Sequence, residues 1–321
     1  MSIASIAHAI SPSVLRSIQK LDFSLSEWQR NPRIGDLLGK TVLSGGKRLR
    51  PLMTFMMADL FGVEHEKIEP FSRYIELVHA STLAHDDVID NAEFRRGEPS
   101  INIVASNKQA VLAGDYLLAY VLQEIARTGR NDLVSEMAAI IADLAEGEWL
   151  QIENSQKKDL CWQDIENVAL KKTGSVLRWS CAAPALLAYP TGHLLPEARR
   201  LGESIGIAFQ LTDDILDFKR QDGSEGADIK NRVINAVIFE ALCLTFDSEQ
   251  LDMTEIASIE PDSRTLDQAI DRVRQRVDIL VDEANALLEM LAESTASHLG
   301  RRDPQSLAAL KILVSYLAQR I

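Results

Sequence analysis

The sequence predicts an all-α fold built as a single domain over residues 1–321. Apolar residues recur with a helical period of about 3.6 almost throughout, and strand-like alternation never lasts beyond a few residues. Helix-forming residues dominate, with only 10 Pro and 16 Gly in 321 positions. Because the connections between periodic segments are mostly short, one helical bundle is the most economical arrangement.

Each predicted helix is a stretch of helical periodicity that ends where turn-forming residues cluster. The segments are 10–30, 34–43, 49–62, 67–93, 102–127, 131–155, 162–188, 195–220, 230–245, 263–294 and 304–320. The principal breaks read "SGGKRLRP", "RRGEPS", "YPTGHLLP" and "QDGSEGAD". Segment 263–294 is amphipathic with mixed charges on its polar face, which is more typical of an outer bundle helix than of a partner-binding coiled coil.

Composition and charge argue against several functional classes. A net charge of −13 disfavours non-specific nucleic-acid binding, which requires a basic surface. No apolar run approaches the ~18 residues of a membrane-spanning helix, and the first residues lack the pattern of a signal peptide. Cys161, Cys181 and Cys243 lie among apolar helical residues, as thiols in a reducing compartment do. We therefore expect a cytoplasmic protein without a transmembrane segment.

An acidic cluster interrupts an otherwise apolar helix in "HASTLAHDDVIDNAEFRRG", residues 79–97. Asp86 and Asp90 are four residues apart and share one helix face, while Asp87 lies beside them. Like charges at this spacing repel by roughly 0.2–0.5 kcal/mol per pair, and a buried carboxylate costs more unless it is compensated. The cluster therefore indicates a bound cation, although a solvated acidic helix face is the simpler reading of this stretch alone.

A second acidic cluster with the same spacing favours the cation. "FQLTDDILDF", residues 209–218, contains Asp213, Asp214 and Asp217 between apolar residues, 127 positions after the first cluster. Gln210 lies one turn before Asp213 on the same predicted helix. Upstream on that helix, Gly202 and Gly206 would allow a close approach of a neighbouring helix. Two such clusters facing each other across a bundle would form an oxygen-rich cavity suited to Mg²⁺.

Basic residues accompany both acidic clusters. They stand in "SGGKRLRP" at a predicted helix start, directly after the first cluster, and in "KKTGSVLRWSC". Helix N-termini also attract phosphate through backbone N–H groups and the helix dipole. The basic and hydroxyl residues concerned are Lys47, Arg48, Arg50, Arg95, Arg96, Lys171, Lys172 and Thr173. Together with the aspartates they indicate two diphosphate sites, one that uses metal ions and one that uses Lys and Arg alone.

The ordered set "GGKRLRP", "ELVH", "HDDVIDNAEFRRG", "AVLAGDYLLA", "KTGS" and "FQLTDDILDF" resembles the trans-isoprenyl (polyprenyl) diphosphate synthase family over residues 40 to 240. The resemblance implies an all-α bundle around a central active-site cavity, usually as a homodimer. It implies that an allylic diphosphate is joined to isopentenyl diphosphate with the help of Mg²⁺. The order and spacing of the motifs make them specific as a set.

The resemblance also assigns roles to individual residues. Asp86, Asp90, Asp213 and Asp217 correspond to positions around the metal ions. Asp87, Asp214 and Lys172 join Asp86, Asp90 and Asp213 as the catalytic group. The allylic diphosphate would be bound by Arg95, Lys172, Thr173 and Gln210. Isopentenyl diphosphate would be bound by Lys47, Arg50, His79 and Arg96.

Product length in this family depends on residues below the first aspartate cluster, where the growing chain descends. Val78, Ser81 and Thr82 lie there, and their modest size resembles the long-chain members rather than those with blocking aromatics. The segment 219–235 departs from the family pattern. It has Arg232 and Asn235 where Gly and Thr are usual, and only Lys219 or Arg220 could replace the usual loop lysine.

Three alternatives remain open from the sequence. The chain could be a short-chain synthase that makes farnesyl or geranylgeranyl diphosphate. It could be a class I terpene cyclase, although the retained "GGKRLRP" and the twin arginines argue for a second diphosphate site. It could also be a non-catalytic subunit of a hetero-oligomeric synthase, an alternative that the atypical 219–235 segment keeps open.

Overall fold

The computed structural model describes residues 6–23, 31–218, 234–256, 262–300 and 303–318. These ranges fold almost entirely into helices, as the sequence predicts. The helices are α1 (Pro12–Lys20), α2 (Pro32–Lys40), α3 (Leu49–Phe61), α4 (His65–Ile89), α5 (Ile101–Val104), α6 (Asn107–Arg127), α7 (Asn131–Asn154), α8 (Trp162–Ala169), α9 (Ser175–Ala188), α10 (Leu195–Asp217), α11 (Ala236–Phe246), α12 (Met253–Ile256), α13 (Ser263–Leu299) and α14 (Pro304–Ala318).

Several predicted boundaries were wrong, and local backbone geometry explains two of them. Segment 67–93 ends as a helix at Ile89, after which a short antiparallel pair of strands, β1 (Phe94–Arg95) and β2 (Glu98–Pro99), reverses the chain. Arg96 and Gly97 have positive φ in the turn that joins them. Segment 102–127 is split, because the Ser106 hydroxyl caps a new helix by accepting a hydrogen bond from the Gln109 amide at 3.3 Å.

The predicted helix 162–188 is also interrupted. Its middle, Leu170–Gly174, is a π-helical turn between α8 and α9. Such turns are rare and are frequently found at functional sites. This one contains the "KKTG" residues that the sequence singles out. Segment 263–294 extends five residues further, to Leu299, where Gly300 with a φ of 68° closes α13.

The core divides into two apolar clusters: the larger includes Leu201 and Ile205 of α10, and the smaller includes Leu211 and Ile215 further along the same helix. The larger cluster is built mainly from α3, α4, α6 and α9 and contains the fully buried Trp179, whose indole N–H donates to the Phe71 carbonyl at 2.9 Å. The smaller cluster joins α8, α10, α11 and α13. Because α10 contributes to both clusters, its polar C-terminal turns are held at a fixed place in the bundle.

Glycines let α10 approach its neighbours closely, as the sequence predicts for Gly202 and Gly206. A Cβ on Gly202 would lie 2.5 Å from the Cα of Arg178, and a Cβ on Gly206 would lie 2.4 Å from the Cα of Gly174. Both distances are well inside normal contact. The backbone of α10 therefore touches the backbone of α9 and of the π-helical turn.

Among the described helices, none combines the length and apolar composition that a bilayer-spanning segment needs. All three cysteines are free thiols, with Cys181 and Cys243 buried and Cys161 partly buried. Burial raises the pKa of the Cys243 thiol to about 11. These two buried thiols therefore pack as small apolar side chains, as the sequence predicts.

Candidate active site

The first aspartate motif occupies the C-terminal end of α4. Asp86 is partly buried, and Asp90, which ends the helix, is exposed. Burial raises the pKa of Asp86 to about 7, with the nearby carboxylates of Glu148 and Asp90 acting in the same direction and the Lys172 ammonium opposing them. The pKa of Asp90 is raised by burial and by Glu148. This end of α4 therefore has more negative charge than its surroundings neutralise.

Asp87 has a different environment. It is fully buried, and its Oδ1 accepts hydrogen bonds from Arg95 Nη2 at 2.6 Å and from Arg95 Nε at 2.7 Å. Its Oδ2 accepts from the backbone amide of Ile101 at the start of α5. The role of Asp87 in the structure is thus to hold the arginine that follows the motif, and a direct role at the metal ions remains a prediction.

Lys172 extends from the π-helical turn towards α7. Its ammonium lies 2.5 Å from Glu148 Oε1 and 2.8 Å from Gln151 Oε1. Gly147 makes this approach possible, since a Cβ there would lie 2.7 Å from Lys172 Cγ and 3.1 Å from Lys172 N. The ammonium is therefore fixed between two α7 side chains and also opposes the negative charge of the first aspartate motif.

The second aspartate motif lies at the C-terminal end of α10. The Gln210 side-chain amide donates to Asp214 Oδ1 at 2.9 Å and accepts from the Thr173 hydroxyl at 2.7 Å. Asp214 Oδ2 accepts the Ala236 amide at 3.0 Å, which caps the start of α11. Asp214 is therefore a positioning group that ties Gln210 to α11. Asp213 is partly exposed and Asp217 is buried.

One aspartate of each motif lines a cavity of about 580 Å³. Asp90 comes from the first motif and Asp214 from the second, and the predicted site residues Lys172 and Gln210 also line the cavity. The other predicted metal ligands, Asp86, Asp213 and Asp217, are not among the described residues that line it. Three apolar residues of α8, Ile165, Val168 and Ala169, form part of the wall. The cavity thus combines carboxylates, a fixed ammonium and an apolar lining.

Three polar residues that line this cavity were not predicted as site residues from the sequence: Glu148, Gln151 and Asn235. Glu148 and Gln151 are three residues apart in "EGEWLQ" and so lie on one face of α7. The signal that could have found them is Gly147, because a glycine inside a helix next to two polar residues indicates close approach of another chain segment.

A second group of predicted residues forms a basic site near the "SGGKRLRP" loop. Burial lowers the pKa of His79 well below its usual range, and Arg50, Arg96, Arg95 and Arg48 act in the same direction. The pKa of Arg50 is lowered by burial, and its Nε finds no hydrogen-bond partner in the described part of the chain. Lys47 is exposed beside them. This partly exposed basic site fits an anionic group.

The backbone of that loop is shaped to meet the arginines. Gly45 and Gly46 have φ values of 69° and 91°, and a Cβ on Gly46 would meet the Arg96 guanidinium at 3.3 Å. Arg96 Nη1 donates to the Ser44 carbonyl at 2.7 Å. Arg95 and Arg96 also line a separate cavity of about 210 Å³ with Ser44 and Gly45. This basic site is thus distinct from the cavity between the aspartate motifs.

The predicted chain-length residues lie on α4, where Val78 belongs to the larger apolar cluster. Ser81 is fully buried, and its hydroxyl donates to the Gly114 carbonyl of α6 at 3.0 Å. Val78 is fully buried one turn earlier, and Thr82 donates to the carbonyl of His79. Ser81 therefore faces the seam between α4 and α6.

The carboxylates of the two aspartate motifs are the candidate ligands for Mg²⁺. Within the described ranges, no three acidic, His or Cys side chains already converge as a metal site. Burial, followed by the nearby Glu148 carboxylate, nevertheless raises the pKa values of Asp86 and Asp90, so the charged form of each carboxyl is incompletely compensated. Oxygen ligands with uncompensated charge suit Mg²⁺, which takes one or two protein carboxylates together with substrate phosphates. The donor chemistry therefore fits this ion.

Of the atypical segment 219–235, the structure describes only residues 234 and 235. Lys219, Arg220 and Arg232 lie outside the described residues. Asn235, which stands where the family pattern has Thr, caps α11, since its Oδ1 accepts the Ile238 amide at 2.9 Å. An Asn side chain is a strong N-cap, so this replacement preserves the start of α11 beside Asp214.

Comparison with known proteins yields relatives of one kind. All trans-polyprenyl-diphosphate synthase PDSS1 of Mus musculus is 33% identical over 243 residues, 72% of this chain and 58% of its own length. The chain spans about half the length of the first curated relatives it matches. Heptaprenyl diphosphate synthase component 2 of Geobacillus stearothermophilus is 29% identical over 84% of this chain and 90% of its own.

A solved structure is similar over nearly the whole chain. The geranylgeranyl pyrophosphate synthetase of Geoglobus acetivorans superposes with a TM-score of 0.80 at 24% identity, over 98% of this chain and 99% of that one. At this identity the likeness establishes the fold alone. The model of the polyprenyl synthetase family matches residues 31–273, which include both aspartate motifs, the π-helical turn and the basic loop. The chain therefore belongs to the polyprenyl synthetase family.

Proposed function

We propose that this protein is a trans-prenyltransferase that condenses an allylic diphosphate with isopentenyl diphosphate, assisted by Mg²⁺, to give a long all-trans polyprenyl diphosphate. One observation carries the proposal: an aspartate of each motif, Asp90 and Asp214, lines the same cavity as Lys172 and Gln210. A basic site with Arg50, His79 and Arg96 lies apart from it. Two separate anion sites are what a reaction between two diphosphates requires.

In this proposal, one group of residues binds the allylic diphosphate and a second group holds Mg²⁺. Arg95, Lys172, Thr173 and Gln210 bind the allylic diphosphate and stabilise the charge that develops as its C–O bond breaks. Asp86, Asp90, Asp213 and Asp217 would hold Mg²⁺, which when bound supplies further stabilisation of diphosphate oxygens.

The basic site holds isopentenyl diphosphate so that its double bond lies against the allylic carbon. That double bond attacks the allylic cation, and loss of a proton completes a product five carbons longer. Ile165, Val168 and Ala169 exclude water, which would otherwise trap the cation. The released diphosphate is the base that the chemistry favours, since no described side chain claims this role.

A long product is supported by two observations. Ser81 is small and buried at the α4–α6 seam, and Val78, of modest size, is buried one turn earlier on α4. The Mus musculus relative is named a polyprenyl diphosphate synthase. A short-chain synthase is the alternative, and the similar Geoglobus acetivorans structure is of a geranylgeranyl enzyme.

A second candidate function follows from the name of one relative. The Geobacillus stearothermophilus protein is called component 2 of its synthase, so activity of the present chain could depend on another subunit. The deciding experiment incubates the purified chain alone with Mg²⁺, farnesyl diphosphate and labelled isopentenyl diphosphate. Long labelled products support the proposal. The absence of elongation with farnesyl, geranyl and geranylgeranyl primers would favour the subunit.

We also propose a homodimer, a single domain over residues 1–321 and a cytoplasmic location. Exposed apolar side chains on α5, α6 and α7 support the dimer: Ile103, Leu112, Trp149 and Ile152. The single domain is supported by α13, which packs along α10 and continues well past the family match. The three free thiols support a reducing compartment.

A further inference from the structure

We infer that Asp143 is a positioning residue for the allylic diphosphate site, because it links Lys171, inside the π-helical turn that presents Lys172 and Thr173, to Arg178 in the first turn of α9. This inference rests on the proposed function for the identity of the bound group. It assigns to α7 a role that the sequence motifs do not include. Asp143 would act through Lys171 and Arg178 and would not touch the substrate.

The two contacts of Asp143 lie before and after Lys172 and Thr173 in the chain. Its Oδ1 accepts from the Lys171 ammonium at 2.9 Å, and its Oδ2 accepts from Arg178 Nη2 at 2.7 Å. Lys171 lies within the turn Leu170–Gly174, and Arg178 lies one turn into α9. One carboxylate therefore links two cations seven residues apart on either side of the segment that carries Lys172 and Thr173.

The two ion pairs of Asp143 belong to a partly buried network, which makes them stronger than an isolated surface ion pair. Glu146 shares Lys171 at 2.6 Å, and Glu203 of α10 contacts Arg178 at 3.4 Å. Arg178 is only 13% exposed and also lies 3.3 Å from the buried Glu136. Charges in networks of low exposure contribute more than exposed pairs, whose contribution is typically under about 1 kcal/mol.

The geometry of the turn explains why the contacts of Asp143 with Lys171 and Arg178 are needed. A π-helical turn has fewer favourable hydrogen bonds than an α-helix and persists only where its surroundings hold it. Gly147 and Gly206 allow close contact on the two flanks of the turn, with Lys172 and Gly174 respectively. Asp143 adds its attraction to that of Glu146, because it draws Lys171 towards α7 and leaves Lys172 facing Glu148 and the cavity.

The Lys171 ammonium is paired with carboxylates of α7 and does not face the cavity. Hydrogen bonds to Asp143 and Glu146 raise the pKa of Lys171, so its ammonium remains protonated and paired. Hydrogen bonding to Asp143 also raises the pKa of Arg178. Of the two consecutive lysines, one therefore anchors the turn and the other faces the cavity.

The first test measures the turn itself. Amide hydrogen exchange of the full chain is followed by mass spectrometry for wild type, Asp143→Asn and Glu289→Gln. Glu289 pairs with Lys311 between α13 and α14 and provides a matched ion pair far from the turn. We expect peptides that cover residues 170–178 to exchange about tenfold faster in Asp143→Asn only. Unchanged exchange there would overturn the inference, as would equal acceleration throughout the chain.

The second test separates positioning from general stability by kinetics. Asp143→Asn should raise the KM for the allylic diphosphate about tenfold and leave the KM for isopentenyl diphosphate within about twofold. Asp143→Glu, which keeps the charge, should restore most of the loss. An equal rise in both KM values, or no rise, would overturn the inference. If the wild type elongates no primer, the proposed function fails, and the exchange comparison still decides the role of Asp143.

Discussion

The contact between Gly206 and the π-helical turn offers a direct perturbation of the site. In Gly206→Ala, the new Cβ would lie 2.4 Å from the Cα and 2.7 Å from the N of Gly174, and 2.9 Å from the Thr173 carbonyl oxygen. All three atoms are backbone, so no flexible side chain can move aside. Ordinary contact begins at 3.4 Å, and α10 must therefore separate from the turn by about 1 Å.

This displacement has two consequences of known size. Overpacking a tight contact costs about 1–3 kcal/mol, offset by the roughly 1 kcal/mol that Ala gains over Gly inside a helix. The site is affected more, because Gln210 lies one turn further along α10 and its 2.7 Å contact with Thr173 spans the same seam. A misplacement of about 1 Å can reduce turnover about 10²-fold.

Urea denaturation and steady-state elongation would check this prediction. We expect Gly206→Ala to lose up to about 2 kcal/mol of stability and about 10²-fold in kcat/KM for the allylic diphosphate. Gly39→Ala is the matched control, since its Cβ meets nothing within 4 Å in the exposed part of α2. It should gain about 0.5–1 kcal/mol at unchanged rate. Wild-type stability and kinetics in Gly206→Ala would refute the close backbone contact.

Three further predictions address the first aspartate motif, product length and α11. The pKa of Asp86 is about 7 in the metal-free folded chain against 3.8 unfolded, so its carboxyl destabilises the fold progressively as pH rises from 3.8 to 7. In EDTA, Asp86→Asn should therefore raise the free energy of unfolding by up to about 4 kcal/mol at pH 8 and by less than half of that at pH 5. Equal gains in stability at pH 5 and pH 8 would contradict the raised pKa of Asp86. Ser81→Phe should shorten the product seen by chromatography while Ser81→Ala preserves it, and an unchanged distribution in Ser81→Phe would count against the proposed channel. Asn235→Ala should lower stability by about 1 kcal/mol in thermal unfolding and Asn235→Asp by much less, because only Ala lacks the capping oxygen; equal losses would argue against the cap.

The sequence predicted those features that depend on local periodicity and on motif chemistry. The helical class, most helix positions and the close approach at Gly202 and Gly206 are confirmed, because each follows from residue spacing along one helix. The spacing of the two acidic clusters predicted that they face each other across the bundle, and Asp90 and Asp214 do line one cavity with Lys172.

Features that depend on packing between distant helices were not predictable in this way. The π-helical turn is held by contacts from Gly147 and Asp143, which lie on a different helix, and helical periodicity alone does not reveal the extra residue. The burial of Asp87 against Arg95 and the hydrogen bonding of Asp214 to Ala236 have the same origin. Adjacent aspartates look equivalent in a sequence, whereas the fold gives each one its own partner.

The central claim is that both aspartate motifs serve one magnesium–diphosphate site. The most direct measurement is the Mg²⁺-dependent affinity for inorganic pyrophosphate, determined by titration calorimetry on wild type, Asp90→Asn, Asp213→Asn and the double variant. We expect each single variant to lose at least about tenfold in affinity, and the two losses to be non-additive because both carboxylates act on the same bound complex. Wild-type affinity in either single variant, or losses that simply add, would contradict a shared site.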